Sequence, residues 1–385
     1  MGGCEAFDVP EVDTSRYDNQ LAYELLMLST TAYYDRPQDC MDHMKQNVPG
    51  NTKGFHIEVI VIHSCEFIGF LNGRCAGILA TSHEKELIAI SYRGTTEFQQ
   101  LVDEVVTVLG LPKKRLGRGN VQQYFNNAHL KLKHCLFGRV KELVAKYPNY
   151  KVAVSGHSLG GAIASIAAYE LVSERYVSSD QIMLYTYGMP RVGDKKYALD
   201  HDRTVPESWR LVHYKDCVPH FPTCAGSCTT SGDDSPFQHR SEVFFDARYM
   251  TKDTNYRICH DNEDGSCSHT YQGFLLTPWN ANECGESHKL YYNITVGTYC
   301  ENNLGPSTRK RSLTDINGRN FTLANDHCAV LVKIDDDWVV SHKKSVPTVV
   351  DQTTPNADSG CQLFEGAFNW YLMTSVFVFR LIGIY

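Results

Sequence analysis

The stretch Val152-Ala153-Val154-Ser155-Gly156-His157-Ser158-Leu159-Gly160-Gly161 constrains this chain more than any other. Its valine-rich start reads as a short buried strand, and the run from Ala162 to Glu174 reads as a helix whose first turns carry small residues. Between them stands Gly-x-Ser-x-Gly. A strand that passes into a helix this abruptly must turn sharply. The turn holds the serine in a strained backbone conformation and lifts its Oγ off the end of the sheet. Side chains two residues to either side would strike the neighbouring strand and helix, which accounts for Gly156 and Gly160. The N-terminus of the following helix points at Ser158 and favours negative charge there. Ser158 is therefore a candidate nucleophile, set on a strand-to-helix turn.

The flanking pattern supports a layered α/β fold. Leu87 to Tyr92 is a continuous apolar run, as a strand buried on both faces requires. A helical stretch from about Val121 to Tyr147 ends at Pro148, and Ile182 to Tyr187 and Leu211 to Tyr214 supply further strands. Strands alternating with helices at this spacing imply parallel pairing with right-handed crossovers. Upstream, Tyr17 to Tyr34 reads as an amphipathic helix and Ile57 to Ile62 as a strand. Phe67 to Leu71 and Cys75 to Ala80 read as a hairpin about Asn72-Gly73, a pair that tolerates positive φ. Past Gly305-Pro306-Ser307 the character changes to a linker, then a strand-rich segment (Cys328 to Ile334, Trp338 to Ser341), then a polar stretch and an apolar tail.

With 385 residues, 42% hydrophobic and 21% charged, the chain is globular rather than disordered. A net charge of −7 without a large lysine and arginine block argues against a nucleic-acid partner. Fourteen cysteines stand at irregular spacings, and no pair of CxxC motifs marks a zinc site. Such scatter fits disulfides formed in an oxidising compartment, and the sequons at Asn293 and Asn320 agree with a secreted, extracellular or lumenal protein. Met1 to Gln20 holds Glu5, Asp8, Glu11 and Asp13 and has no apolar core, so it does not read as a secretory leader.

Three ordered blocks together carry a resemblance. The segment Tyr147 to Gly161 resembles the elbow of the fungal-type triacylglycerol lipases, the class 3 lipase family. Ile90-Ser91-Tyr92-Arg93-Gly94-Thr95-Thr96 is similar to that family's oxyanion strand, and Tyr187-Gly188-Met189-Pro190-Arg191-Val192-Gly193-Asp194 to its Gly-x-Pro-Arg-Val-Gly block. The likeness covers about Tyr17 to Gly297. It implies an α/β-hydrolase-type, mostly parallel central sheet with flanking helices over residues 17–300. A linker and small strand-rich extension (301–360) and an apolar tail (361–385) would follow. The implied activity is hydrolysis of carboxylic esters, foremost acylglycerols, at a lipid interface and with neither metal nor cofactor. Phospholipase A1 and soluble esterase activity, and an inactive lipid-binding module, are the alternatives.

A serine hydroxyl needs a base, and the base an orienting carboxylate, here in the chain order serine, acid, histidine. Asp216, just past a strand, matches the family's Asp-x-Val-Pro-His pattern, with Asp194 and Asp202 as rivals. His220, His239, His260, His269 and His288 follow it. His288 precedes a hydrophobic-aromatic run as the family's catalytic histidine does, with Ser287 where the family usually has aspartate; His269 is the main rival. The oxyanion donors implied are the backbone N–H of Leu159 and the backbone and hydroxyl of Thr95, with Asp103 or Glu104 orienting that hydroxyl. Thr96 to Leu111 falls where the family carries a mobile lid, and Lys113, Lys114, Arg115 and Arg118 follow it. Leu363 to Tyr385 carries Glu365, Asn369 and Arg380, which suits a docked or disordered terminus better than a membrane span.

Overall fold

The computed structural model describes residues 12–34, 36–50, 54–65, 74–95, 113–224, 228, 232–271 and 281–305, with strands at 313–314, 320–321, 327–334 and 337–345. Residues up to Pro347 form one compact unit; the unit from Thr348 to Tyr385, with the apolar tail, lies outside the described residues. The strand expected at Phe67 to Leu71 and the lid at Thr96 to Leu111 also lie outside them.

A ten-stranded mixed sheet organises the chain. In chain order its strands are β1 (His56–Ser64), β2 (Arg74–Ser82), β3 (Leu87–Tyr92), β4 (Lys151–His157), β5 (Ile182–Tyr187), β6 (Ser208–His213), β7 (Glu242–Phe245), β8 (Arg257–Cys259), β9 (His327–Ile334) and β10 (Asp337–Ser345). Their spatial order is β8-β7-β6-β5-β4-β3-β2-β1-β9-β10. The pairs β3–β4, β4–β5, β5–β6 and β6–β7 are parallel, which gives the mostly parallel centre read from the sequence. The strand-rich segment expected after the linker extends the sheet, since β9 pairs antiparallel with β1 and β10 with β9. The strand Ile57 to Ile62 pairs with the Cys75 to Ala80 strand to form the β1–β2 ladder.

Seven helices accompany the sheet among the described residues: α1 (Asn19–Thr31), α2 (Pro37–Asn47), α3 (Gln123–Lys146), α4 (Leu159–Ser173), α5 (Lys195–Thr204), α6 (Ala281–Lys289) and α7 (Tyr299–Leu304). The side chain of Asp18 accepts the Leu21 N–H at 2.9 Å, so α1 begins at Asn19 rather than Tyr17. Alternation along each central strand feeds two cores. Ile88, Ile90, Val152, Val154, Ile182 and Leu184 pack with α3 and α4. Ala89, Ala153, Tyr185, Trp209 and Leu211 face α1. Apolar residues on both faces explain why these strands read as continuous runs. The C-terminal ends of β3, β4, β5 and β6 converge along one edge, and the candidate side chains stand there.

Candidate active site

Ser158 sits between β4 and α4 with φ 59° and ψ −129°. A non-glycine residue in this region costs about 1–3 kcal/mol, which the surroundings must hold in place. The Ser158 N–H donates to the Tyr187 carbonyl at 2.8 Å, pinning the turn to β5. A Cβ on Gly156 would collide with the backbone of Gly160, and one on Gly160 would strike the Tyr92 carbonyl and lie 2.9 Å from the Arg93 carbonyl carbon. The elbow is therefore closed around two glycines, as the sequence required. Ser158 is buried, and its Oγ makes no hydrogen bond among the described residues.

Asp216 follows β6 and is fully buried. Its Oδ1 accepts the Val218 N–H at 3.0 Å, and its Oδ2 accepts the Tyr291 hydroxyl at 2.7 Å. His288, near the end of α6, directs Nδ1 at both carboxylate oxygens, 2.9 Å from each. Burial alone would raise the Asp216 pKa. The His288 charge and hydrogen bond, the Tyr291 hydroxyl and the Val218 N–H together hold it below the usual carboxylate value. When the ring is neutral, donation from Nδ1–H to Asp216 leaves the imidazole lone pair on Nε2, as a general base requires.

Three contacts bring this pair to the elbow. A Cβ on Gly188, which has φ +57°, would lie 2.8 Å from His288 Nδ1. Gly188 directly follows Tyr187, whose carbonyl holds the Ser158 N–H. His157 Nε2 donates to the His288 carbonyl at 2.8 Å, and the two rings lie 4.6 Å apart. His157 Nδ1 then accepts the Tyr33 hydroxyl at 2.8 Å. Burial, reinforced by the His288 charge, pushes the His157 pKa down to about 3, so this ring stays neutral. Thr95, half-buried, follows Gly94, where a Cβ would lie 2.5 Å from the His157 carbonyl oxygen. Leu159 opens α4 beside Ser158.

The rivals have other employment. Asp194 caps α5 through the Tyr197 N–H at 2.9 Å and accepts the Asn120 N–H. Asp202 accepts the Arg240 N–H at 2.9 Å and the Asn262 side chain at 2.7 Å. The carbonyl of His220 accepts from Arg191, His239 lies 3.2 Å from the Ser208 hydroxyl, and His269 faces Glu263 at 3.7 Å. His260 is exposed. Asp103 and Glu104 lie outside the described residues. Tyr291, Tyr33 and His157 were not singled out as site residues. Only Tyr291 left a signal, three residues past His288 in the aromatic run.

Two groups of metal-ligating side chains converge among the described residues. In the first, the His201 and His239 rings stack 4.0 Å apart at 13°, so their faces meet and their lone pairs do not converge on one ion. In the second, Cys228 is bonded to Cys224 and Glu263 pairs with Arg191 at 2.7 Å. Neither fits a metal.

Parallel sheet, strained serine and buried aspartate–histidine pair define a serine hydrolase of the α/β-hydrolase class. Residues 89–226 match the family model described as lipase (class 3). A lipase of Caenorhabditis elegans is 29% identical over 312 residues, 77% of this chain and 85% of the relative. A lipase of Rhizomucor miehei is 32% identical over 158 residues, 41% of this chain and 43% of that protein. The chain thus spans less than half of that fungal relative's length in alignment. Among solved structures, a Rhizopus microsporus lipase superposes with a TM-score of 0.57 at 21% identity, covering 78% of this chain and 99% of that one. Over residues 89–226 the chain is thus similar to the class 3 lipases.

Proposed function

We propose that this protein is a carboxylic ester hydrolase acting on acylglycerols through Ser158, His288 and Asp216. Ser158 Oγ attacks the ester carbonyl carbon while His288 Nε2 takes its proton. Asp216 fixes the imidazole tautomer and stabilises its cation. The Leu159 N–H and Thr95 hold the developing oxyanion. Collapse of the tetrahedral adduct breaks the carbonyl–alkoxide bond, and His288 returns the proton to the departing alcohol. Water, deprotonated by the same ring, then releases the fatty acid from the acyl-serine. The observation that carries this reading is the Asp216–His288 pair at 2.9 Å beside a serine held at φ 59°.

Relatives described as secreted mono- and diacylglycerol lipases, 31% identical over 147 residues, support the glyceride substrate. Five disulfides between described residues support a secreted or lumenal setting, and among the described residues no helix is long and apolar enough to cross a membrane. The test compares wild type and Ser158→Ala on a monomeric p-nitrophenyl ester, on emulsified triacylglycerol and on phosphatidylcholine. Glyceride turnover that exceeds phospholipid turnover and vanishes in the variant supports the reading. Preferential release of the sn-1 acyl chain from phospholipid would reassign the enzyme as a phospholipase A1.

A further inference from the structure

Asp216 and His288 are 72 residues apart in the chain, yet their hydrogen bonds must hold to a few tenths of an ångström. Helix α6, which carries His288, has nine residues. A helix this short does not sustain itself, so its position comes from what it is tied to.

The ties are concentrated on the acid turn. Lys215 Nζ donates to both carboxylate oxygens of Glu283, at 3.1 and 3.0 Å. The His213 ring lies between two carbonyls, with Nδ1 2.9 Å from that of Ser287 and Nε2 2.9 Å from that of Ala247. Cys217 is bonded to Cys284, with Cα atoms 5.3 Å apart. Cys217 is the residue after Asp216. Cys284 lies four residues before His288, one turn earlier on the same helix face. This covalent link therefore lies alongside the hydrogen bonds that align the base.

The other disulfides formed between described residues sit elsewhere. Cys40–Cys300 joins α2 to α7, Cys65–Cys75 spans the β1–β2 connection, and Cys224–Cys228 and Cys259–Cys267 close short loops. Cys217 and Cys284 are both buried, so their bridge is built into the interior.

We propose that the Cys217–Cys284 bridge is a positioning element of the catalytic apparatus: it locks α6 to the acid turn so that His288 Nδ1 stays on Asp216. This rests on the triad reading above. Without the bridge α6 keeps its ion pair and the hydrogen bond from the His213 side chain but gains freedom to move relative to the acid turn. A displacement of about 1 Å in such a group costs about a hundredfold in rate. Substrate binding, which this link does not touch, is unaffected.

The experiment compares wild type with Cys217→Ala/Cys284→Val, which refills the volume of the sulfurs, and with Cys65→Ser/Cys75→Ser as a disulfide-loss control. Each is assayed on a soluble p-nitrophenyl ester and by the rate of fluorophosphonate labelling at Ser158. The first variant is expected to lose about a hundredfold in kcat with KM within twofold, and to label more slowly by the same factor. Its downfield proton resonance from the His288–Asp216 hydrogen bond should broaden or vanish. The control should keep wild-type kcat. Wild-type kcat and labelling in the first variant, or an equal loss in the control, overturns the proposal. If the first variant does not fold, Cys217→Ser/Cys284→Ser, which keeps the shape of the reduced pair, reads the same link: a kcat loss at constant KM supports the proposal, and unchanged kcat refutes it. A wild-type enzyme that the probe does not label at Ser158 sinks the triad reading instead.

Discussion

The two sides of this active site are built by different means. On the serine side, the turn itself is built within a few residues of Ser158. The β4 strand delivers it, Gly156 and Gly160 admit the turn, and α4 starts at once. On the histidine side, the ring belongs to a short helix held by partners 67 to 72 residues away, Lys215, Cys217 and Asp216, while Tyr291 reaches back to support Asp216. Local sterics place the proposed nucleophile, whereas long-range ties place the proposed base. Substitutions on the two sides should therefore fail differently. Those at the elbow abolish chemistry or folding outright, and those behind the histidine lower the rate in graded steps.

The largest effect tests the serine side. Ser158→Ala is expected to lower kcat by about 10⁶-fold while the circular dichroism spectrum stays native. Measurable turnover within a few-fold of wild type would remove the nucleophile from the comparison. Asp216→Asn comes next. It keeps the shape of the pair but presents an amide to His288 Nδ1 and disfavours the required tautomer. A fall of about 10⁴-fold in kcat is expected. Because Asp216 also accepts from Tyr291 and Val218, the pH-dependent part of its stabilisation has a definite sign. Its folded pKa lies below the unfolded value of 3.8, so that contribution is present above pH 3.8 and is lost as pH falls further. Urea midpoints of wild type and Asp216→Asn should therefore converge only in strong acid. Convergence already at neutral pH would contradict the cause given for the shift.

The same contrast explains what could be read from the sequence. The elbow was legible because its constraint is local: a valine strand, paired glycines and a small-residue helix must be adjacent to work. The central strands were legible because burial on both faces imposes unbroken apolar runs, as in Leu87 to Tyr92. Asp216 and His288 were legible mainly through their flanking patterns, since nothing in a hydrogen bond across 72 residues is written locally. Tyr33 reaches His157 from 124 residues away and leaves no pattern at all. The pairing of Cys217 with Cys284 was equally hidden, because spacing does not encode connectivity. The strand-rich segment after the linker was legible as strands. Its place at the β1 edge was not, because edge pairing is decided by backbone groups that any residue supplies.

Smaller effects sharpen the histidine side. Tyr291→Phe removes a 2.7 Å hydrogen bond to the Asp216 carboxylate, leaving that oxygen to His288 Nδ1. Hydrogen bonds to charged groups contribute about 1.5–3 kcal/mol, so kcat should fall by about ten- to a hundredfold at nearly constant KM. A rise in KM alone would place Tyr291 in substrate binding rather than behind the acid.

The smallest effect on rate, and the most informative about charge, is expected at His157, where the two sides touch. His157→Phe breaks neutral hydrogen bonds to the His288 carbonyl and from Tyr33, so a loss of about two- to tenfold in kcat is expected. The acid limb of the pH–rate profile should not move, because the ring is already neutral at working pH. The stability profile should change, and its sign follows from linkage. The His157 pKa falls from 6.5 in the unfolded chain to about 3 in the folded one. Between those values the unfolded chain binds a proton that the folded protein refuses, so wild-type stability declines as pH drops from 6.5 toward 3. Replacing His157 with Phe removes one such proton. The variant should be less stable than wild type at pH 8, and the gap should narrow on acidification, read as urea midpoints at a series of pH values. A gap that stays constant down to pH 4 would mean that His157 takes up its proton in the folded state. It would then be charged beside His288, and the neutral ring that links the elbow to the base would have to be abandoned.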